Sequence, residues 1–191
     1  TYVNSTAAVK ALSTVCCTSA NVIDVVNSLS EKEVLMTPDR NLARYAELNT
    51  DKKIHFWDGW CPFHNNLTAN DIKRAKKLHP GALVLAHPEG PEEVLSLADI
   101  VVSTSGMLKF VKESDKKEFI IGTEIGILYP MRRDNPEKQF YPASLGMECP
   151  DMKKITLNDI VVSLETLAGE IKVPEEIRIP ALSAVRKMLE R

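Results

Sequence analysis

Four cysteines in 191 residues are too few for a disulfide scaffold, and their spacings give no even framework. The chain has no apolar run near the ~20 residues of a membrane helix and no recognisable signal peptide, so the cytoplasm is the expected compartment and no membrane partner is expected. Basic charge is not in excess: 24 Lys and Arg against 26 Asp and Glu give a net charge of −2. That balance lacks the broad positive field of a nucleic-acid binder. Lysines and arginines are dispersed, and the cluster at 73–77 reads as a solvated helix face. Low-complexity tracts and flexible linkers are also absent, so any sub-units should pack closely. There is no initiator Met, and the chain opens directly on an expected strand at Tyr2-Val3. It therefore reads as a fragment whose N-terminal region lies upstream.

What is present is an ordinary globular composition, 44% hydrophobic and 26% charged, arranged almost twice over. Residues 2–22 laid on 87–107 bring Val9 onto Val94, Leu12 onto Leu97, and Val15-Cys16-Cys17 onto Ile100-Val101-Val102. Polar positions coincide too: Tyr2 with His87, Asn4 with Glu89, and Thr18-Ser19 with Ser103-Thr104. Cys61 and Cys149, each followed by proline, recur at nearly the same separation. Hydrophobic spacing recurs when two units share a fold. Reactive side chains recurring at the same strand ends suggest two copies that face one site.

Short β-branched runs alternate with helical stretches, the pattern of an α/β protein with parallel sheets. Strands are expected at 2–3, 14–17, 34–36, 54–57, 83–86, 100–102, 119–121 and 138–140. Helices are expected near 7–12, 21–28, 42–48, 69–78, 91–97, 107–113, 125–131 and 157–167, with Pro91 in a first turn and Thr68 and Thr156 as caps. The predicted architecture is two repeated three-layer αβα units with small parallel sheets, 1–80 and 81–156, followed by C-terminal helices over 157–191. Their boundary falls at the helix stop Leu78-His79-Pro80-Gly81. A helical stripe of Ile177, Ala181, Val185 and Leu189 within 174–191 is expected to pack against whatever precedes residue 1.

Ser/Thr clusters at strand-to-helix junctions, Thr18-Ser19 and Ser103-Thr104, fit simple N-capping when taken singly. Their recurrence in both units favours binding of an anionic group at the helix start. His87 and Glu89, two apart on an extended segment, project the same way and could form a general acid/base pair; the plainer reading is a loop His beside a solvated Glu. Tyr2 and Asn4 stand at the matching depth. His55 and His79 read as structural or solvent-facing. Cys16 and Cys17, inside a strand, behave as small hydrophobes. Cys61 with His64 has half of a zinc spacing but no second close pair. Two loop cysteines from two related units suggest a shared metal, and too few thiolates to close a zinc site fits an iron–sulfur cluster. A third unit upstream should bring a third cysteine.

The segments Tyr-Val-Asn-Ser-Thr-Ala-Ala-Val-Lys-Ala (2–11), Thr-Ser-Ala-Asn (18–21), Pro-Asp-Arg-Asn-Leu (38–42), Gly-Trp-Cys-Pro-Phe-His (59–64), His-Pro-Glu (87–89), Ser-Thr-Ser-Gly-Met (103–107) and Met-Glu-Cys-Pro-Asp-Met-Lys (147–153) occur in this order. Together they resemble the quinolinate synthase family over essentially the whole chain. The resemblance implies three αβα domains about a pseudo-threefold axis, of which the second and third are present here. It implies a 4Fe–4S cluster with Cys61 and Cys149 as two ligands and the third upstream of this chain. One iron is then left open as a Lewis acid. The implied reaction joins iminoaspartate with dihydroxyacetone phosphate to give quinolinate, phosphate and water, a step of NAD biosynthesis.

On that resemblance Glu89, His87 and Tyr2 are the implied acid/base residues. Substrate binding falls to Tyr2, Val3, Asn4, Ser19, His64, His87, Pro88, Glu89 and Thr104. Functional coupling to an L-aspartate oxidase or an aspartate dehydrogenase is implied, with no nucleic-acid partner. The 191-residue species alone is expected to be inactive. Cys61 and Cys149 are expected to converge on one cavity with Tyr2, Asn4, Ser19, His87, Glu89 and Thr104. Two other readings remain open: a non-catalytic phosphate-binding α/β module, which leaves the loop cysteines unexplained, and a structural zinc protein, which leaves the polar strand ends unexplained.

Overall fold

A computed structural model describes residues 1–190; Arg191, the last residue of the expected C-terminal helical region 157–191, lies outside the described residues. The first unit begins with Tyr2 bridged in parallel to Cys17, followed by α1 (Ala7–Ala11), α2 (Val22–Asn27) and β1 (Glu33–Met36). It continues with α3 (Arg40–Leu48), β2 (Lys53–Phe56) and the four-residue α4 (Pro62–Asn65). Then come α5 (Ala69–Leu78), β3 (Leu83–Ala86), α6 (Glu92–Leu95), β4 (Ile100–Val101), α7 (Thr104–Glu113) and β5 (Glu118–Gly122). A 3₁₀ turn at Ile125–Ile127 leads into α8 (Leu128–Asp134) and β6 (Gln139–Pro142). A second 3₁₀ turn at Pro150–Lys153 precedes α9 (Leu157–Thr166) and α10 (Glu175–Leu189). The protein is α/β with small parallel sheets, as the alternating pattern predicts.

The repeat is structural. The second sheet runs β4-β3-β5-β6, all parallel. In the first unit β1 pairs with β2, while the backbone of Tyr2 joins Cys17 on one side and Thr37 on the other. The order Cys17, Tyr2, β1, β2 thus reproduces β4, β3, β5, β6. Register agrees residue by residue: Tyr2 N–H donates to Thr37 O at 2.9 Å, and His87 N–H donates to Gly122 O at 3.1 Å. The first unit's inner strands amount to one bridge because Val3 and Asn4 already turn away after Tyr2.

One core gathers Val15, Cys16, Cys17, Val25, Val26, Met36, Leu42, Ala43 and Ile54. Two others cover the faces of the second sheet, with Val84, Ala86 and Ile120 towards one side and Leu85, Phe119 and Ile121 towards the other. That division follows the alternation of side chains along a strand. Cys16 and Cys17 lie in the first core, as expected of buried small hydrophobes. Burial raises both thiols, Cys17 to about 11, so neither is a reactive thiolate.

Two placements differ from the sequence expectation, those of α5 and Pro91. Helix α5 sits at the end of the first repeat in sequence, yet its Ile72 and Ala75, with Leu67, pack into the second unit's core. Helix α10 starts at Glu175, and its Ala184 and Met188 join the first core beside Val15 and Cys16. Pro91 caps α6 with extended backbone and is not its first helical residue. Both threonine caps form: Thr68 with Asp71, and Thr156 with Asp159, make reciprocal capping boxes at α5 and α9. Along α9, Leu157, Ile160, Val161 and Leu164 are exposed.

A buried lysine closes α7. Lys138 Nζ donates to Val111 O at 2.5 Å and to Ser114 O at 2.8 Å, satisfying carbonyls at the helix end, where a cation is also favoured by the dipole. Lys138→Met keeps the stem and removes the ammonium, leaving those acceptors unpaired. Urea unfolding should show a loss of about 1–3 kcal/mol. Unchanged stability would mean that water replaces the ammonium without cost.

Candidate active site

Three loops meet at His64. The His64 side chain, in the single turn of α4, donates from Nδ1 to Glu89 Oε2 at 3.0 Å and reaches Thr123 Oγ1 from Nε2 at 2.8 Å. Its ring stacks on that of His87, with centroids 4.4 Å apart. His87 in turn contacts Ser19 Oγ through Nε2 at 3.2 Å, while the Glu89 N–H approaches its Nδ1 at 3.4 Å. Those two contacts favour the tautomer with the proton on Nε2.

His87 and Glu89 come together by a turn and not, as expected, along an extended strand. Gly90 N–H donates to His87 O at 2.9 Å, closing a four-residue turn with Pro88 at its second position, where its fixed φ suits the bend. Pro88 therefore shapes the loop. The Glu89 carbonyl also accepts from Asn41 Nδ2 at 3.0 Å, and Asn41 further donates to Asn65 Oδ1 at 3.1 Å. One side chain at the start of α3 thereby ties the His-Pro-Glu loop to α4.

Burial sets the electrostatics. It lowers the His64 pKa, but contacts with Cys61 and Glu89 outweigh it and bring that imidazole up to about 9. His87 goes the other way: burial, reinforced by the neighbouring His64 charge, takes it down to about 4. Burial raises Glu89, yet His64 and His87 hold its carboxyl below the ordinary range. For Cys61 too, burial is outweighed by His64, and the thiol is lowered. At neutral pH the site thus holds a cationic His64 beside anionic Glu89, with His87 neutral. Two adjacent imidazoles of opposite protonation state are an arrangement able to hold and to move protons.

Donor atoms of Cys61, His64 and Glu89 all lie within 4.8 Å of one another, close enough to share a metal ion. Cys61 caps α4 with extended backbone, and Pro62 follows at the first helical position. Cys149 caps its 3₁₀ turn in nearly the same conformation, again with proline next. Both thiols are free and half-buried. Cys149 is not one of the donors gathered at His64.

Of the residues singled out from sequence, Tyr2, Ser19, His64, His87, Glu89 and Cys61 come together. Burial, together with Ser19 and Glu89, sets the Tyr2 phenol, which is raised. Val3 takes part only through its N–H, donated to Cys17 O at 2.8 Å, while its side chain packs on the first core. Asn4 is exposed on the turn after Tyr2. Thr104 is exposed as the first residue of α7, and the cap is Ser103, whose Oγ accepts the Gly106 N–H at 3.2 Å. The reason is backbone conformation: Ser103 is extended and can turn its hydroxyl onto the helix start, whereas Thr104 is already helical. Ser19, Ser103, Ser105 and Lys109 line one cavity of about 360 Å³ between the two units. Sequence reading missed Thr123, Asn41 and Asp39; the last two lie in the Pro-Asp-Arg-Asn-Leu segment.

His55 pairs with Glu33 across the first sheet at 2.8 Å, and His79 stacks on Tyr141, so both histidines are structural.

Residues 1–190 match the family model described as quinolinate synthetase A protein. The chain is 51% identical over 189 residues to the quinolinate synthase of Geotalea uraniireducens, covering 99% of this chain and 62% of that protein. It is 50% identical to the quinolinate synthase of Thermodesulfovibrio yellowstonii, over 98% of this chain and 62% of the relative. To quinolinate synthase 2 of Methanosarcina acetivorans it is 48% identical, over 98% and 61%. The chain thus spans about 62% of the length of the curated relatives it matches. No helix among the described residues is long and apolar enough to cross a membrane. By the family match and these identities, the chain belongs to the quinolinate synthetase A protein family.

Proposed function

We propose that this chain supplies two of the units of a cytoplasmic quinolinate synthase, which condenses iminoaspartate with dihydroxyacetone phosphate in NAD biosynthesis. In this reading Cys61 and Cys149 hold a 4Fe–4S cluster with a third thiolate from outside the chain. The observation that carries it is the matched presentation of two free, half-buried thiols, each capping a short turn at the same point of its unit. Thiolates are the donors such a cluster takes, so this pair fits it. When bound, the cluster would supply an open iron as Lewis acid.

The chain's own residues do the rest. Both substrates are anionic, and cationic His64, with the Ser19 and Ser103 hydroxyls, favours their carboxylate and phosphate groups. Glu89 is a carboxylate at neutral pH and accepts a proton on Oε2, while His64 Nδ1–H fixes its orientation. His87, neutral, donates from Nε2 to Ser19 and accepts the Glu89 N–H at Nδ1. The Tyr2 phenol, raised mainly by burial, keeps its proton and can donate it. The stacking of His64 on His87 and the burial of His87 shield the acid/base groups from much of the solvent.

A second reading is favoured by one observation. Cys61, His64 and Glu89 alone could hold a single zinc ion, since their donors are already together. Anaerobic purification of the polypeptide extended to the length of its relatives separates the two. A brown protein containing iron and sulfide, whose colour falls with Cys149→Ser, is the expected result. A colourless protein with bound zinc, insensitive to Cys149→Ser, assigns the second reading. A colourless, metal-free protein overturns both.

A further inference from the structure

We propose that Asp39 and Glu124 are a matched pair of positioning residues, each fixing the cysteine loop of its own unit. The inference rests on reading Cys61 and Cys149 as ligands, and extends that reading to two carboxylates. The strand register aligns Thr37 with Gly122, and therefore Asp39 with Glu124. Both carboxylates are buried. Each follows the third strand of its sheet, and each is followed by a residue whose N–H donates to a carbonyl two positions before the cysteine. These bonds are Arg40 N–H to Gly59 O at 2.7 Å and Ile125 N–H to Met147 O at 2.9 Å.

Each carboxylate gives one oxygen to the start of the helix or turn that follows it and aims the other towards the segment around its cysteine. Asp39 Oδ1 accepts the Leu42 N–H at 2.8 Å, capping α3, and Oδ2 accepts the Cys61 N–H at 2.7 Å. Glu124 Oε2 accepts the Gly126 N–H at 2.7 Å, and Oε1 faces Lys153 Nζ at 3.1 Å, four residues beyond Cys149. That ion pair is not aligned as a hydrogen bond, and Oε1 has no other partner among the described residues. Helix capping needs one oxygen, and a serine would supply it. Burying a carboxylate costs more than burying a hydroxyl, so capping does not account for the second oxygen. In the first unit the second oxygen accepts the N–H of the cysteine itself; in the second it pairs with Lys153, on the turn that Cys149 caps. The first loop is pressed close enough that a Cβ on Gly59 would lie 2.5 Å from Pro38 O, so only glycine fits there.

The test needs no metal. The 191-residue chain, its Asp39→Ser variant and its Glu124→Gln variant are pulsed with iodoacetamide, and labelling of each cysteine is followed by peptide mass spectrometry. Serine keeps an acceptor for the Leu42 N–H but is too short to hold the Cys61 loop. Asp39→Ser should speed labelling of Cys61 about fivefold, the loss of one net hydrogen bond, and leave Cys149 unchanged. Glu124→Gln should do the reverse. Cys16 and Cys17, buried in the first core, report unfolding. If they become labelled, the same comparison is read on Asp39→Asn and Lys153→Met. Cys61 and Cys149 responding equally, or neither responding, in folded variants overturns the proposal. Iron content of the full-length protein is measured separately, so loss of cluster binding and loss of the clamp give different results.

Discussion

Glu89→Gln should abolish quinolinate formation by the complete enzyme while leaving its metal in place. Glutamine keeps the volume of the side chain and an oxygen to accept from His64 Nδ1, now found 3.0 Å from Glu89 Oε2. What it cannot do is take a proton. Removing a positioned acid/base group typically costs ~10²–10⁴-fold in rate, and the loss should appear in kcat, with visible absorbance and iron content unchanged. The same variant also discriminates between metals. If Cys61, His64 and Glu89 were the three ligands of a zinc ion, Glu89→Gln would lower metal occupancy together with rate. A kcat near that of the unmodified enzyme would reduce Glu89 to a loop residue that merely pairs with His64.

Much of the scaffold was legible because local signals agreed with tertiary demand. Strand β3 is an apolar run bounded by turn residues, and its ends fell where expected. Helices α5 and α9 were announced by Thr68 and Thr156 as caps, and in the structure an aspartate three residues on completes each cap. Helix α4 escaped because four residues carry no period. Helix α3 begins at Arg40, two residues before its apolar stripe, because Asp39 caps it there. That α5 packs on the second core is a tertiary choice that no window of sequence records. The site divides in the same way. The internal repeat pointed to Tyr2, Ser19, His87 and Glu89, which do meet. It could not show that His64 stands among them, because His64 has no counterpart histidine in the second cysteine loop. Thr123 and Asp39 become visible as partners only once the register of β1 and β5 is known.

The pH dependence of stability follows from the buried imidazole of His87. Its folded pKa, taken down to about 4 by burial and by the adjacent His64 charge, lies below the ~6.5 of an exposed histidine. Between these two values the unfolded chain takes up a proton that the folded chain refuses. Stability therefore falls as pH drops from 6.5 towards 4 and is unaffected by this group at pH 7 and above. The difference is about 3 kcal/mol at pH 4, an upper figure because some water reaches the site. Glu89 and His64 face the same ring, and His64, raised to about 9, contributes stability that is lost only as pH rises past 6.5 towards 9. Comparison with His87→Gln reports the His87 contribution together with the part of the Glu89 shift that His87 causes, since glutamine does not titrate and the shift of His64 arises from Cys61 and Glu89. Urea unfolding of both proteins from pH 7 to pH 4 should show the unmodified chain losing about 3 kcal/mol more than the variant. Parallel stability curves would mean that the imidazole accepts its proton in the folded state, and so that Ser19 Oγ, 3.2 Å from Nε2, does not face a permanently neutral ring.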